Sequence, residues 1–451
     1  MPSQKRIDLL RKRTLPVERL IRPFQEFAHQ ASSGGVLLLI CSLVALAWAN
    51  SLFAASYFRL WQTPVEVRFG QWLDLDKPLL LWINDGLMAI FFFLVGMEIK
   101  RELLVGELSS WRQALLPIVA ALGGMVAPAF IFFMLNAGTP DIRGWGIPMA
   151  TDIAFSLGVL ALLGTRAPLA LKVFLSAFAI IDDLGAVLVI ALFYTDELNP
   201  SAMLYALFAF GGMLLANRLG VRNTLVYFLI GCVMWYFMLK SGVHATIAGV
   251  LGAFAIPVRQ RIAPEEYIAC VREYLRQFEM PHRKPTIILN PLQQSAVEAI
   301  QRASERVQSP LQRLEHILHP WVAFLILPLF ALANAGVSLL GGQAQIDWGS
   351  RVLWGVALGL LLGKPLGIVL ASWIAVQLGF SRLPSGVGWM HILGVGFLGG
   401  IGFTMSLFIA QLAYTAPTLD MAKIGILVGS LLSGIIGFLL LRLFTQPQGT
   451  E

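Results

Sequence analysis

Apolar residues come in long blocks along this chain, not in the short alternations of a soluble fold. Twelve blocks can be read, at about 31–53, 78–100, 113–136, 146–163, 168–194, 200–217, 223–239, 242–258, 319–341, 350–378, 388–412 and 421–443. About 20 such residues in a helix cross a ~30 Å hydrocarbon core. Alternating ten-residue segments, the mark of a membrane β-barrel, are missing. The pattern predicts an all-α, polytopic membrane protein of about twelve transmembrane helices. Composition agrees: of 451 residues, 57% are hydrophobic and only 13% charged, too few charges for an ordinary soluble domain.

The polar stretches divide the chain. Residues 1–30 form a basic N-terminus, 31–258 carry spans one to eight, 259–318 form an extended loop, 319–443 carry spans nine to twelve, and 444–451 form a tail. The polar run before Ala31 is too long for an ordinary signal n-region, so Ala31–Phe53 is read as a retained first helix. An even number of spans puts both termini on one side. Lys5, Arg6, Arg11, Lys12, Arg13, Arg19 and Arg22 mark that side as cytoplasmic, as do Lys100, Arg101, Arg112, Arg166, Arg218, Arg222, Arg382 and Arg442. The net charge of +7 thus reads as an orientation signal, and no nucleic-acid motif accompanies it. Cys41, Cys232 and Cys270 have no spacing that suggests a disulfide framework or a zinc site, and no cofactor is expected.

Two connections have patterns of their own. In 57–69, Val65, Val67 and Phe69 alternate with Glu66 and Arg68, which reads as a short periplasmic hairpin or as an irregular interfacial loop. In 259–318, Tyr267, Ile268, Val271, Tyr274, Leu275 and Phe278 recur at helical spacing. So do Val297, Ile300, Val307, Leu311, Leu314 and Leu318, interrupted by Pro310 and separated from the first set by MPHRKP. These are two amphipathic helices at the membrane surface, or a solvated linker.

Ionisable residues at depth point to function. Asp182 and Asp183 are adjacent near the centre of Leu169–Tyr194. A charged carboxylate there costs on the order of 3 kcal/mol or more. Two side by side are kept only if a proton, a cation or a basic partner offsets the cost. Lys364 lies near the centre of 353–376, followed by Pro365, and Asp182 or Asp183 is its natural partner. Asp152 lies in a short block broken by Pro148, Thr151 and Ser156; GVGFLGGIGFTMSLFIA (394–410) is a second interrupted block, with Thr404 and Ser406 as oxygen donors. Span 4 enters from outside and span 11 from inside, the opposite directions that inverted-topology repeats require. Two half-helix N-termini meeting there leave positive charge, and two C-termini leave negative charge. Asp152 can offset the first and Lys364 the second. The bland alternatives are helix–helix hydrogen bonds for the hydroxyls and a structural counter-ion role for Lys364.

At these residues the chain resembles the bacterial NhaA family of sodium/proton antiporters. The resemblance runs in order through FFFLVGMEIKREL (91–103), MATDIAFSLGVLALLG (149–164), LSAFAIIDDLGAVLVIALFY (175–194), LKSGVHATIAGV (239–250), 313–339, LLGKPLGI (361–368) and GGIGFTMSLFIA (399–410). This family is itself a type example of the inverted-repeat architecture. The resemblance implies an inner-membrane homodimer, joined through the outer hairpin, that exchanges Na⁺ or Li⁺ for protons. Asp183 and Asp182 would form the cation and proton site, with Asp183 the more direct sodium ligand. Lys364 would pair with Asp182 or carry a proton itself, and Thr151 and Asp152 would lie at the helix crossing. Glu98, Lys100, Arg101, Glu102, Glu315 and His316 match a cytoplasmic pH-sensing cluster, and His244 a histidine that tunes pH response; positive-inside anchoring and one hydrogen-bonded histidine are the bland alternative. The stretch 262–310 looks longer than the family's usual connection. The expected mechanism is electrogenic alternating access, two protons against one sodium. Two rival readings are a passive cation channel and an intramembrane aspartyl protease, for which neighbouring aspartates ~100° apart on one helix are poorly placed.

Overall fold

A computed structural model of the chain describes residues 33–70, 73–195, 198–279, 289–339 and 347–445. The basic N-terminus, the MPHRKP breaker and the last residues of the tail lie outside them. Among the described residues helix dominates, and eight helices are long and apolar enough to cross a membrane, or up to ten if each of two bent pairs is one span. In chain order the helices are α1 (Ser33–Ala49), α2 (Ala54–Gln62), α3 (Leu79–Val105), α4 (Trp111–Asn136), α5 (Ile153–Ala161), α6 (Leu169–Phe193), α7 (Pro200–Arg218) and α8 (Thr224–Lys240). They continue as α9 (Thr246–Ala255), α10 (Pro264–Glu279), α11 (Pro291–Val307), α12 (Pro310–Asn334), α13 (Arg351–Gln377), α14 (Trp389–Gly399), α15 (Phe403–Ala413) and α16 (Thr418–Phe444). A 3₁₀ segment, Pro140–Met149, precedes α5.

The chain forms two compact units: Met1–Asn84, Glu107–Ile190 and Ala323–Glu451 in the first, and Asp85–Gly106 with Ala191–Val322 in the second. In the first unit, α4 and α13 cross at glycine. A Cβ on Gly123 would strike the Gly367 carbonyl, and one on Gly367 would strike the Gly123 carbonyl. Small residues let helix backbones touch where lipid supplies no hydrophobic drive between helices. The later part of the first block departs from expectation. α1 ends at Ala49, and the chain turns by 113° into α2. There Tyr57 is buried and donates to the Leu332 carbonyl at 2.8 Å. Residues 57–62 are therefore helix. The hairpin lies farther on, with β1 (Pro64–Phe69) antiparallel to β2 (Leu73–Pro78), Pro64 opposite Pro78 and Val67 opposite Leu75.

The second unit packs the later part of α3 on α9. Gly96 lies against Ala253, and Gly249 lies against the Ala89 carbonyl. The stretch 259–318 is largely helical. α10 and α11 meet through a Tyr267–Ser304 hydroxyl contact of 3.0 Å, with Ala296 and Ala303 buried. The second apolar set is broken at Pro310 as expected: α11 ends at Val307, and Pro310 opens α12 at its N-terminal turn, where a missing N–H costs nothing. Leu311, Leu314 and Leu318 therefore belong to α12.

Replacing Gly367 with Val should lower the thermal midpoint of the detergent-purified protein, since overpacking a close crossing costs ~1–3 kcal/mol or more. An unchanged midpoint would mean that the backbones do not meet there.

Candidate functional site

The site is built in the first unit, where two helical paths break side by side. One runs through the 3₁₀ segment Pro140–Met149, the extended residues 150–152 and α5. The other runs through α14, residues 400–402 and α15, with a 45° bend. Each break leaves backbone donors and acceptors that must find partners in the buried interior.

Asp152 supplies the donors' partner at both N-termini. One carboxylate oxygen accepts from the Phe155 N–H at 3.0 Å, capping α5. The other accepts from the Thr404 N–H at 3.1 Å and the Thr404 hydroxyl at 2.5 Å, at the start of α15. Aspartate suits both, as an N-cap acceptor and as negative charge at the positive helix ends. The carbonyls are met by hydroxyls. Thr151 donates to Gly399 at 2.8 Å, Ser156 to Leu398 at 2.7 Å, and Ser406 to Ile147 at 2.8 Å. The last two are reciprocal, each serine lying in one path and reaching the last turn of the other. A Cβ on Gly402 would strike the Ala150 carbonyl of the other path as well as the Ser406 hydroxyl of its own, so glycine there lets the paths approach.

Of the two expectations for Lys364, the aspartate pairing is what the structure shows: Nζ donates to both oxygens of Asp182, at 2.7 and 2.8 Å, and lies 5.5 Å from the centre of the Phe178 ring. The carbonyl ends, the other expected role, are hydrogen-bonded by hydroxyls and not by the ammonium. Phe178 is one turn before Asp182 on α6, so ring and carboxylate share a face. Asp182 and Lys364 are 0% exposed and Asp183 is 1% exposed. Thr151 stands beside Asp182, and the Lys364 charge also acts on Asp183. A π-helical turn, Gly359–Gly363, immediately precedes Lys364. Pro365 cannot donate to the preceding turn, and such a widened turn absorbs the loss. The structure thus brings together Thr151, Asp152, Asp182, Asp183 and Lys364. Asp152 and Asp182 are engaged with Thr404 and Lys364, so the facing pair an aspartyl protease needs is not formed between them.

The residues matching the pH-sensing cluster lie in the second unit and divide. Arg101 reaches Glu315 at 2.6 Å and Glu102 at 3.1 Å, and Glu98 is close enough for its charge to act with all three. Lys100 is turned away, donating to the Phe254 and Ile256 carbonyls at 2.6 Å each, and so closes the C-terminus of α9. His316 is exposed on α12 and joins no ion pair among the described residues. It is His319, one turn after Glu315, whose charge acts on that carboxylate. His244 Nε2 lies 3.7 Å from Asp85, and Nδ1 is 2.8 Å from the Thr246 hydroxyl. Asp85 and His319 were missed in the sequence, although helical spacing from Glu315 and an aspartate near the start of the second apolar block were available signals. Missed too was a buried amide knot in the first unit. Asn334 Nδ2 donates to Asn84 at 2.9 Å, and Asn84 Nδ2 donates to Gln411 at 3.0 Å.

Comparison with known proteins identifies the family. The family model described as Na+/H+ antiporter 1 matches residues 25–441. The Na(+)/H(+) antiporter NhaA of Oleidesulfovibrio alaskensis is 51% identical over 438 residues, 97% of each chain. That of Acidithiobacillus ferrooxidans is 48% identical over 434 residues, 95% of this chain and 99% of its own. The chain belongs to the NhaA Na⁺/H⁺ antiporter family. It is accordingly a multi-pass bacterial membrane protein, of a family of transporters rather than enzymes. The NhaA 2 of Syntrophotalea carbinolica is 48% identical over 423 residues, 94% of this chain and 96% of its own.

Asp152→Ala should destabilise the purified protein by on the order of 3 kcal/mol, because buried donors on two helices lose a charged acceptor together. Asp152→Asn, which keeps one acceptor oxygen, should lose less. Thermal unfolding in detergent reads both, and an Ala variant as stable as wild type would overturn the double-capping role.

Proposed function

We propose that this NhaA-family protein exports Na⁺ or Li⁺ from the cell in exchange for protons, by alternating access at one shared site. The carrying observation is the buried Lys364–Asp182 pair beside Asp183 and Thr151. Hard cations take oxygen ligands, and Asp183 is the direct sodium ligand in this reading. Asp182 holds Lys364 when empty, and Lys364 also carries a proton. The twelve apolar blocks are twelve spans, with both termini in the cytoplasm of an inner-membrane protein. Spans 4 and 11 are the interrupted pair of an inverted repeat; the reciprocal Ser156 and Ser406 bonds support that reading.

With two protons entering for each sodium leaving, each cycle moves net charge, and an inward-negative potential contributes ~2.3 kcal/mol per charge per 100 mV. The Arg101–Glu315–Glu102 ion pairs with Glu98, and the His244–Asp85 pair, are the elements through which pH regulates exchange. The β1–β2 hairpin, whose Val67 side chain is exposed, is the dimer contact, since an unpaired strand edge invites another copy. A passive channel is the rival, and strict coupling separates the two.

Asp183→Asn should abolish sodium-dependent proton flux in proteoliposomes; full flux would remove Asp183 from the site. A second outcome concerns competition. Acidification protonates the carboxylates that sodium needs, so the apparent sodium affinity should fall up to ~10-fold per pH unit for each competing proton. The measurement is sodium-driven proton flux across a pH series, with and without imposed voltage. An affinity indifferent to pH would rule out a shared site, and flux without coupling would favour the channel.

A further inference from the structure

At the arginine-rich end of the first unit, a cleft of about 1020 Å³ opens between the first turns of α4 and α6 and the turn at 379–385. Its two zones differ in chemistry. Leu116, Val173 and Phe174 give it an apolar wall, whereas Arg112, Arg382 and Ser381 give it a polar rim. Both arginines are exposed, and neither joins an ion pair among the described residues. Glu107 also lines the rim. It offsets part of this charge, so the rim carries a net positive charge of one.

A second observation is independent of charge. Ser381 is 7% exposed, and its hydroxyl has no hydrogen-bond partner among the described residues. A buried hydroxyl left so is costly unless something outside the chain completes it. The neighbourhood is that of a membrane interface. Trp111 is 72% exposed beside Arg112, and Leu169 and Phe380 are exposed around the same mouth. Tryptophan with arginine at a helix end marks the headgroup level.

We infer that this cleft binds an anionic phospholipid of the adjoining leaflet, its phosphate at Arg112, Arg382 and the Ser381 hydroxyl and an acyl chain along Leu116, Val173 and Phe174. Guanidinium groups suit the phosphate oxygens, which also accept from a hydroxyl. The apolar wall excludes a free phosphate as the whole ligand. A zwitterionic lipid supplies the chain but brings an ammonium to a rim that is already positive. The bound lipid ties the start of α6, the helix of Asp182 and Asp183, to the start of α4.

The test uses the full-length protein, purified in detergent and stripped of lipid. Thermal midpoint and native mass spectrometry follow titration with phosphatidylglycerol, phosphatidylcholine and inorganic phosphate. Phosphatidylglycerol should raise the midpoint and be retained, phosphatidylcholine should do so far less, and phosphate should do nothing. Arg112→Gln with Arg382→Gln should cut the preference for phosphatidylglycerol by about 30-fold, from ~1 kcal/mol for each guanidinium near an anionic surface. Arg112→Lys with Arg382→Lys should keep most of it, and Ser381→Ala should weaken it without the change in charge. Equal responses to the two lipids, an undiminished preference in the Gln variant, or a matching response to phosphate alone would each overturn the assignment.

Discussion

Where a helix stops in a buried interior, its last backbone groups must still be hydrogen-bonded, and one carboxylate meets that demand for two helices here. Asp152 accepts from the first turn of α5 and the first turn of α15 together. The positive ends of both helices would otherwise face each other without water to screen them. Its own N–H donates to the Ile401 carbonyl at 2.7 Å, so the same residue stitches the breaks through main chain and side chain. Thr151, Ser156 and Ser406 then serve the carbonyls. The unwound segments exist because this small set of polar side chains is shared between them, and Thr151 holds its place beside Asp182 as a result.

The second demand is the buried ion pair. Removing one partner of such a pair is costly, ~3–5 kcal/mol, because the other is left charged and unanswered. Lys364 therefore depends on Asp182 as much as Asp182 depends on Lys364, and the Phe178 ring adds a negative face to the ammonium's surroundings. The π-helical turn before Lys364 and the Gly123–Gly367 crossing just after it fix where α13 runs. Backbone geometry thus sets the reach of the ammonium. It is not left to a flexible side chain searching for a partner.

Much of this was legible in the residues, and the rest failed for identifiable reasons. Long apolar blocks predicted helices because the bilayer dictates length, and Asp182, Asp183 and Lys364 stood out because charge at such depth is expensive. Asp152 was readable as a dipole partner from helix-end physics alone. Lys364 was readable as the partner of an aspartate, but its second expected role, at the carbonyl ends, falls to hydroxyls, because dipoles can be placed from sequence and hydroxyl directions cannot. Ser156 and Ser406 meet those ends through contacts some 250 residues apart. Lys100 looked like a member of a charge cluster, yet its side chain is taken by the end of α9, a tertiary choice that no local pattern encodes. The hairpin was placed too early because Tyr57 and Trp61 have the spacing of a buried helix face, which the alternation at 65–69 overshadowed.

Charge counting shows why these two demands belong together. Asp182, Asp183 and Lys364, all ionised, sum to one negative charge in a site almost wholly hidden from water. One sodium ion neutralises the set, and so does one proton. In the proposed cycle a second proton must therefore leave one limb with a net buried charge, and that limb is the one on which membrane voltage acts. In that proposed cycle Lys364 is the candidate carrier of the second proton. Both oxygens of Asp182 accept from Lys364 at 2.7 and 2.8 Å, so a cation that binds Asp182 competes with the ammonium for the same carboxylate. A displaced ammonium without its carboxylate is itself costly, and giving up its proton removes that cost. In the proposed cycle, sodium, protons and Lys364 thus compete for two carboxylates, and the lysine takes part in the exchange.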